Sequence, residues 1–404
     1  MKPAWNDWGV SELVAPALRM AALVLLVLLA GCTGPLRGVF DSGQPAPPQP
    51  APVPQAPVLT GVKVALILPL SGAGETARIG QAMKQAAEMA LFDAGNAGIT
   101  LVTKDTGGTG PGAERAAREA IAEGAELILG PLLANEVQAV SPVARASNVP
   151  VIAFSSVSAT GGRGTYLLSF LPEQEVDAII RHAGQNGIRS VVVMLPKTPY
   201  GSEVERAVVD AGKRNGVEVT AIERYSRTPE AVNEPAKRTA EAVNAGVVQG
   251  VMIAEGSDML RQIGFALQRQ GLSPAKARML GTGLWDDASA RTTPVVVGGW
   301  YAGVAPDLIA RFDQRYSKSY GRSAPRLASL SYDAVSLAII LGRGGQGQRF
   351  STAAITNPEG FQGINGLFRF RPNGLSERGL SILELTSGGP RVIAPAPQRF
   401  MAGY

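Results

Sequence analysis

Two residue types that often act as nucleophiles, general bases or zinc ligands are scarce in this 404-residue sequence, which contains one cysteine, Cys32, and one histidine, His182. A single cysteine cannot form an internal disulfide, and zinc sites built from cysteine pairs or several imidazoles are excluded. His182 stands in the segment RHAGQNG, which is typical of an exposed helix end, and no G-x-S-x-G segment accompanies it. We therefore expect a protein that is not an enzyme and that holds no metal and no cofactor.

The segment KDTGGTG (Lys104–Gly110) contains the Asp-Thr-Gly sequence that aspartic proteases use. Their chemistry needs two carboxylates that share one proton, and therefore two such loops or a symmetric dimer. This chain has a single Asp-Thr-Gly, between an aliphatic run and a helix pattern that begins at Pro111. We interpret the segment as a turn between a strand and a helix.

Cys32 directly follows an apolar run, Met20–Ala30, and a short stretch of small residues. The run is too short to span a membrane, which takes roughly 20 apolar residues, but it has the length of the hydrophobic region of a secretory signal. Leu29-Ala30-Gly31-Cys32 resembles the lipobox of bacterial lipoproteins. The resemblance implies cleavage before Cys32 and a lipid anchor on it. The alternative is an ordinary signal peptide with an incidental cysteine.

The residue after Cys32 indicates the membrane in which a lipoprotein would be anchored. It is Thr33 rather than aspartate. Under the sorting rule of the lipoproteins that the lipobox resembles, this residue implies a periplasmic protein anchored at the inner face of the outer membrane. The formal net charge of +5 over 404 residues is mild, and no dense basic stripe with interleaved aromatic residues is present. We therefore expect no nucleic-acid partner.

A proline-rich segment separates the signal from the rest of the chain. Prolines make up seven of the thirteen residues 45–57. Such a segment adopts an extended polyproline II conformation of about 3.1 Å per residue, which gives a spacer of roughly 40 Å. A ligand for SH3-type domains is the alternative reading, but a tether suits an exported bacterial protein better.

Beyond this segment, short aliphatic runs alternate with helical patterns, which predicts an α/β fold with mostly parallel sheets. The first predicted strand is Val62–Leu68 and the tenth is Gly299–Gly303, with helices between them and two more helices at Asp307–Tyr320 and Leu327–Leu341. The alternation around Pro372-Asn373-Gly374 predicts a β-hairpin. About 340 folded residues exceed one comfortable core, so we expect two lobes with a cleft between them.

The predicted domains follow from these patterns. Residues 1–31 form the signal peptide, 32–60 the lipidated cysteine and linker, 61–390 the folded domain and 391–404 a C-terminal tail. Within the domain, lobe 1 is expected at about 61–170 and 304–360, and lobe 2 at about 171–303 and 361–386. Each lobe is predicted to be a doubly wound, mostly parallel sheet flanked by helices.

Several stretches, in their order and spacing, resemble the type I periplasmic binding-protein fold and its leucine-binding, branched-chain amino-acid-binding family. They are VALILPLSGAGETARIGQAMKQAAEMALFDAG (Val64–Gly95), GPLLANEVQAVSPVARASNVPVIAFSS (Gly130–Ser156), PYGSEVERAVVDAGKRNGVEV (Pro199–Val219), SYDAVSLAIILG (Ser331–Gly342) and FRFRPNG (Phe368–Gly374). The first stretch lacks the G-x-G-x-x-G and P-loop patterns, so a nucleotide site is not expected. Its loop instead brings Ser71 to the carboxyl end of a strand, where open α/β sheets bind ligands.

The resemblance also implies where a small ligand would bind. In the family, hydroxyl residues after the third and fourth strands bind the carboxylate of an amino acid, and an aromatic residue and an acid of lobe 2 bind the rest. Ser155 and Ser156 match the carboxylate-binding loop, and Tyr200 matches the tyrosine that precedes glycine. The full set of candidate ligand-binding residues is Ser71, Asn135, Ser155, Ser156, Tyr200, Glu255 and Trp285.

Three departures weaken that implied site. Val157 stands where the family has a threonine, and Asn135 and Glu136 stand where serines are usual. The segment GTGLWDD (Gly281–Asp287) has no acid at the matching position, so Glu255, Asp286 or Asp287 would have to replace it. An amino acid held by only one of its two charged groups would leave the other charge buried and unpaired, which is costly. The alternative interpretation is therefore that the candidate residues are ordinary loop and helix-cap residues.

Two functions remain open from the sequence. A lipobox, a proline-rich tether and a leucine-binding-type domain together resemble the penicillin-binding protein activator lipoproteins, which stimulate a peptidoglycan synthase by protein contact. The alternative is a solute-binding receptor that delivers a branched-chain or related amino acid to an ABC transporter. The expected partners are therefore the membrane through the lipid, and either a penicillin-binding protein or a small amino-acid-like ligand.

Overall fold

The computed structural model describes residues 61–95 and 97–400. Cys32, the apolar run before it and the proline-rich segment lie outside the described residues, as do the last four residues of the chain. Among the described helices, none is long and apolar enough to cross a membrane.

Strands and helices alternate along most of the chain. The first lobe begins with β1 (Val62–Leu68), α1 (Glu75–Asp93), β2 (Ile99–Asp105), α2 (Gly110–Ala122), β3 (Leu127–Leu129), α3 (Ala134–Ala146), β4 (Val151–Ala153) and β5 (Thr165–Leu167). The second lobe follows with α4 (Pro172–Gln185), β6 (Ser190–Pro196), α5 (Pro199–Asn215), β7 (Glu218–Tyr225), α6 (Asn233–Asn244), β8 (Gly250–Ile253), α7 (Ser257–Arg269), β9 (Arg278–Gly281), α8 (Ala288–Arg291) and β10 (Trp300–Gly303). The last part contains α9 (Pro306–Tyr320), α10 (Ala328–Gly342), α11 (Thr352–Ile355), β11 (Phe361–Gly363), β12 (Gly366–Phe370), β13 (Ser376–Arg378), β14 (Ser381–Thr386) and β15 (Gly389–Ala394).

Lobe 1 is built on a parallel sheet with the strand order β2-β1-β3-β4-β5. Its strands are apolar on both faces because both faces are covered. α2 and α3 cover one face, where Ala65 and Ile67 of β1 are buried. α1 and α10 cover the other face, where Leu66 and Leu68 are buried. The doubly wound arrangement predicted for this lobe is confirmed.

Lobe 2 is built on a mixed sheet with the strand order β15-β14-β10-β9-β8-β6-β7. The strands β6 to β10 run parallel, and β14 and β15 join antiparallel at one edge. α4 and α5 cover one face, and α6 and α7 cover the other. The two sheets define a two-lobed α/β fold, as the sequence predicts.

Tight turns carry the chain from strand into helix at the sheet ends. Gly201 lies in the first turn of α5, and a Cβ built on it would lie 1.9 Å from the carbonyl oxygen of Pro196. The Thr198 hydroxyl caps the same helix by accepting a hydrogen bond from the Gly201 N–H. Gly130, after β3, has a φ of +95° and similarly close backbone contact with Ile67. Residues with a side chain do not fit either position.

The segment 361–386, which we predicted to lie in lobe 2, is shared between the two lobes. β12 packs on lobe 1, where the Phe370 ring lies 5.6 Å from the Tyr166 ring, and the Leu167 N–H donates to the carbonyl oxygen of Gly374. β14 then pairs with β10 in lobe 2. The aromatic side chains of β12 complete the apolar core of lobe 1, which is why the predicted hairpin lies there and not in lobe 2.

The end of the chain is also more ordered than a tail. Residues 391–394 belong to β15, at the edge of the lobe 2 sheet. The chain then returns towards lobe 1, where the Arg369 guanidinium lies 4.3 Å from the centre of the Phe400 ring. Lobe 1 and lobe 2 are therefore connected through residues 168–171, 304–305, 379–380 and 395–399.

Candidate functional site

Ser71, in the loop after β1, is bound to the end of the neighbouring strand β2. Its hydroxyl donates to the Asp105 carboxylate, which also accepts from the backbone N–H groups of Leu70, Ser71 and Gly107. Burial opposes ionisation of Asp105, but these four donors together lower the pKa of its carboxyl group below the ordinary value. Asp105, the acid of the Asp-Thr-Gly segment, therefore joins the ends of β1 and β2 as an ionised acceptor.

The first turn of α3, which follows β3, presents Asn135 to solvent and buries Glu136. The Glu136 carboxylate accepts from the Leu133 N–H at 3.1 Å and from the Thr106 hydroxyl. Burial raises the pKa of Glu136 above its ordinary value, although these donors partly offset the effect. Glu136 thus caps α3 and fixes the loop after β2.

Ser155 and Ser156 lie together after β4, as the sequence predicts, but they differ in exposure. Ser155 is buried, and its hydroxyl oxygen accepts a hydrogen bond from the Val157 N–H at 3.2 Å. Ser156 is half-buried. In this arrangement the Ser155 hydroxyl stabilises the turn of its own loop.

In lobe 2, Tyr200 and Glu255 lie at the carboxyl ends of neighbouring strands and belong to one polar cluster. The Tyr200 hydroxyl donates to the Thr282 hydroxyl at 2.9 Å. Burial, with Glu175 nearby, raises the pKa of the Tyr200 phenol. Tyr200 is therefore a neutral hydrogen-bond donor whose partner is already supplied by the chain.

Glu255 is 4% exposed and is bound to Tyr225, the last residue of β7, and to Arg227 just after that strand. Its carboxylate accepts from the Arg227 guanidinium at 3.2 Å and from the Tyr225 hydroxyl at 3.4 Å. Burial raises the pKa of Glu255, and the Arg227 charge partly offsets that rise. The acid that could accept an amino group in lobe 2 is thus already paired with a cation of this chain.

Trp285 is fully buried beneath the loop after β9. Its indole N–H donates to the carbonyl oxygen of Ile253 at 3.1 Å, and its ring centre lies 6.3 Å from that of Tyr301. The ring also lies close against Gly281, where a Cβ would be 2.2 Å away. In this arrangement Trp285 is part of the lobe 2 core.

The sequence analysis did not identify the ion pair that joins the lobes. Glu175, in the first turn of α4, accepts from the Arg326 guanidinium at 2.6 Å and from the Gly283 N–H at 3.1 Å. Arg326 comes from the segment before α10 in lobe 1 and lies over the Phe170 ring at 3.6 Å. The pair is separated by 151 residues, so no local pattern could indicate it.

Little space remains between the lobes at this pair. A cavity lined by Phe170, Gly283, Asp286, Arg326 and Asn365 has a volume of about 10 Å³, which is room for about one water molecule. A larger surface depression of about 330 Å³ lies in lobe 2 beside Lys197, Thr198 and the Glu205–Arg224 ion pair. The depression lies outside the set of predicted ligand-binding residues.

His182 lies near the end of α4 rather than in a catalytic arrangement. Its ring centre is 5.0 Å from that of Trp300 in an edge-on contact. Burial lowers the pKa of the imidazole below its ordinary value, so the neutral form is favoured. Within the described part of the chain, no group of three or more His, Cys, Asp or Glu residues is placed to hold a metal ion.

Comparison with known proteins defines the class. The family model described as periplasmic binding protein matches residues 61–390, so the chain belongs to the periplasmic binding protein family. The members of this family are periplasmic, non-enzymatic ligand-binding proteins. No curated protein sequence matches the chain.

Solved structures show the same fold at low sequence identity. A putative branched-chain amino acid ABC transporter protein from Rhodospirillum rubrum is 20% identical with a TM-score of 0.70, over 82% of this chain and 100% of that one. The branched-chain amino acid substrate-binding protein LivJ from Streptococcus pneumoniae, in complex with isoleucine, is 14% identical with a TM-score of 0.61, over 84% and 100%. A solute-binding protein from R. palustris in complex with benzoate is 18% identical with a TM-score of 0.64, over 83% and 97%.

Proposed function

We propose that this chain acts by contact with a protein partner, as the penicillin-binding protein activator lipoproteins that it resembles do, and that it stimulates a peptidoglycan synthase. The observation that carries the proposal is that the candidate ligand-binding groups already have hydrogen-bond partners within the chain. The polar groups of Ser71, Ser155, Tyr200 and Glu255 are bonded to groups of the chain itself. The cavity beside Arg326 and Gly283, at the interlobe ion pair, has a volume of about 10 Å³.

An amino acid would have to displace these bonds to enter. Its carboxylate needs several donors and its ammonium group needs an anion, because a buried charge left unpaired costs several kcal/mol. Arg227 already compensates Glu255, and the Ser71 hydroxyl already donates its proton to Asp105. These contacts support a protein whose lobes offer a surface to a protein partner rather than a cleft that closes around a solute.

The proposal includes the location of the domain. The lipidated Cys32 would anchor the chain in the outer membrane, and the linker 32–60 would hold the domain 61–390 away from the lipid. Acyl chains anchor by burying methylene groups at about 0.8 kcal/mol each, so several chains on one cysteine hold firmly. A tether of this kind lets an anchored protein reach a synthase on the opposite membrane.

Reconstitution with a bifunctional penicillin-binding protein tests the proposal. The full chain, purified in detergent, is expected to raise the initial rate of glycan polymerisation or of peptide crosslinking, with saturation as its concentration increases. A solute-binding protein of the same fold, added at equal concentration, is the control. An unchanged rate across synthases that bind the chain would contradict the contact mechanism.

A solute-binding receptor is the second candidate, favoured by the relatives solved in complex with isoleucine and benzoate. In that case Ser155 and Ser156 would bind a carboxylate, Tyr200 would pack on the ligand, and closure of the lobes would trap it. The position of Tyr200 and Glu255 at neighbouring strand ends of lobe 2 supports this possibility.

Thermal unfolding of the full chain against amino acids, benzoates and short wall peptides separates the two candidates. We expect no shift in Tm, because the interlobe groups are already paired. A ligand present at 100 times its Kd stabilises by about 2.7 kcal/mol, enough to move Tm by several degrees. A shift with one ligand that Tyr200→Phe and Ser155→Ala reduce would establish the receptor instead.

A further inference from the structure

The first turn of α4 contacts lobe 1 through three consecutive side chains. Pro172 opens the helix immediately after the chain leaves lobe 1, and Glu173, Gln174 and Glu175 follow. The rest of α4 packs on α5 and on the lobe 2 sheet, so the helix moves with lobe 2. Bonds from its first turn to lobe 1 are therefore bonds between lobes.

Glu175 makes the strongest of these bonds. Its side chain is 2% exposed, and that of Arg326 is 22% exposed. Water and salt therefore screen the ion pair weakly, unlike the surface pairs of the same protein. Glu175 is held to lobe 2 by the Gly283 N–H, and Arg326 is held over Phe170 of the lobe 1 core.

Gln174 and Glu173 add bonds at different places on lobe 1. The Gln174 side chain accepts from the Arg378 N–H at 2.9 Å and donates to the carbonyl oxygen of Ser376, both in β13. The Glu173 carboxylate accepts from the Ser158 hydroxyl, in the loop after β4. The three side chains thus reach three separate segments of lobe 1.

We infer that this first turn, Glu173-Gln174-Glu175, is a latch that keeps the two lobes closed with no small ligand bound. A solute-trapping protein obtains its interlobe bonds from the ligand, whereas here the chain supplies them from both sides. The closed arrangement fixes the surfaces of the two lobes relative to each other. A partner that contacts both lobes would then meet one preformed surface.

Two backbone N–H groups report the state of the latch in hydrogen exchange. The Gly283 N–H donates directly to Glu175, so it senses that side chain locally. The Arg378 N–H donates to Gln174 and makes no hydrogen bond to Glu175 or Arg326 among the described bonds, although the Arg378 and Arg326 guanidinium groups lie over the same Phe170 ring. Its exchange therefore senses whether β13 of lobe 1 and the first turn of α4 stay in contact. Faster exchange at both groups indicates opening, and faster exchange at Gly283 alone indicates a local change.

The test is hydrogen exchange by mass spectrometry, with residue-level fragmentation, on the full chain and on Glu175→Gln. We expect exchange at Gly283 and Arg378 to rise together by about tenfold or more, since a buried charge-assisted bond contributes about that factor. Glu136→Gln is the matched control, because it changes a buried carboxyl whose bonds stay within lobe 1. It should leave both N–H groups unchanged.

If Glu175→Gln does not fold, Arg326→Lys carries the same test, because it keeps the charge and loses the planar fork. Unchanged exchange at Arg378 in a variant that still melts cooperatively would overturn the latch. The latch and the proposed function fail separately. A ligand-induced Tm shift in the unmodified chain contradicts the contact mechanism, whereas the Arg378 exchange rate decides the latch alone.

Discussion

Replacing Trp285 with alanine is expected to lower the free energy of unfolding by about 3–5 kcal/mol, the range for a large aromatic residue removed from a core. The indole is fully buried, and it packs against Gly281 and Tyr301. The loss would also leave the carbonyl oxygen of Ile253 without the indole donor. Because rigid strands surround the ring, the cavity would collapse only in part.

Denaturant unfolding of the full chain, followed by circular dichroism, measures the effect. Trp285→Phe is the matched variant, since it keeps most of the apolar volume and removes the N–H donor, and it should lose clearly less stability than the alanine variant. If Trp285→Ala changed the unfolding free energy by less than about 1 kcal/mol, the ring would not be a core residue. A role in ligand contact would then become the better reading.

Replacing Cys32 with serine is expected to move the protein from the membrane fraction to the soluble periplasmic fraction. The reason is that serine has no thiol for lipid attachment, and firm anchoring requires more than one acyl chain. Cell fractionation and labelling with a radioactive or alkyne-bearing fatty acid measure the change. The unmodified chain should incorporate the label, and the serine variant should not.

Thr33→Asp is the matched variant for location. It keeps the cysteine and the label, and it should shift the lipoprotein from the outer to the inner membrane under the sorting rule that Thr33 is expected to follow. Label incorporation that persists in Cys32→Ser would contradict the lipid anchor. A soluble, unlabelled unmodified chain would instead support an ordinary signal peptide.

The alternation of aliphatic runs and helical patterns in the sequence was enough to determine the fold. β1 has the predicted limits, Val62–Leu68, and the tenth predicted strand, Gly299–Gly303, is β10 with one residue fewer at its start. The hairpin around Pro372-Asn373-Gly374 is also confirmed, with Phe370 opposite Ser376. These features depend on local periodicity and turn geometry, which a single sequence carries directly.

The candidate site could be predicted only in part. Parallel strands end at the same edge of a sheet, so the sequence could place Tyr200 and Glu255 near each other in lobe 2. It could not show that Thr282 and Arg227 already bind them, because those partners lie 82 and 28 residues away along the chain. Hydrogen-bond partners at such separations are chosen by packing rather than by local pattern.

Thus the sequence by itself determined the family and the two sheets, and it placed polar loops at the carboxyl ends of the strands. The tertiary structure alone decided that β12 completes lobe 1, because its aromatic side chains find an apolar face there. It alone also decided that Glu175 meets Arg326 across the lobes. A buried carboxylate needs a cation or hydrogen-bond donors beside it, because an unpaired buried charge is costly. Which cation lies beside Glu175 is decided only when the two lobes pack together.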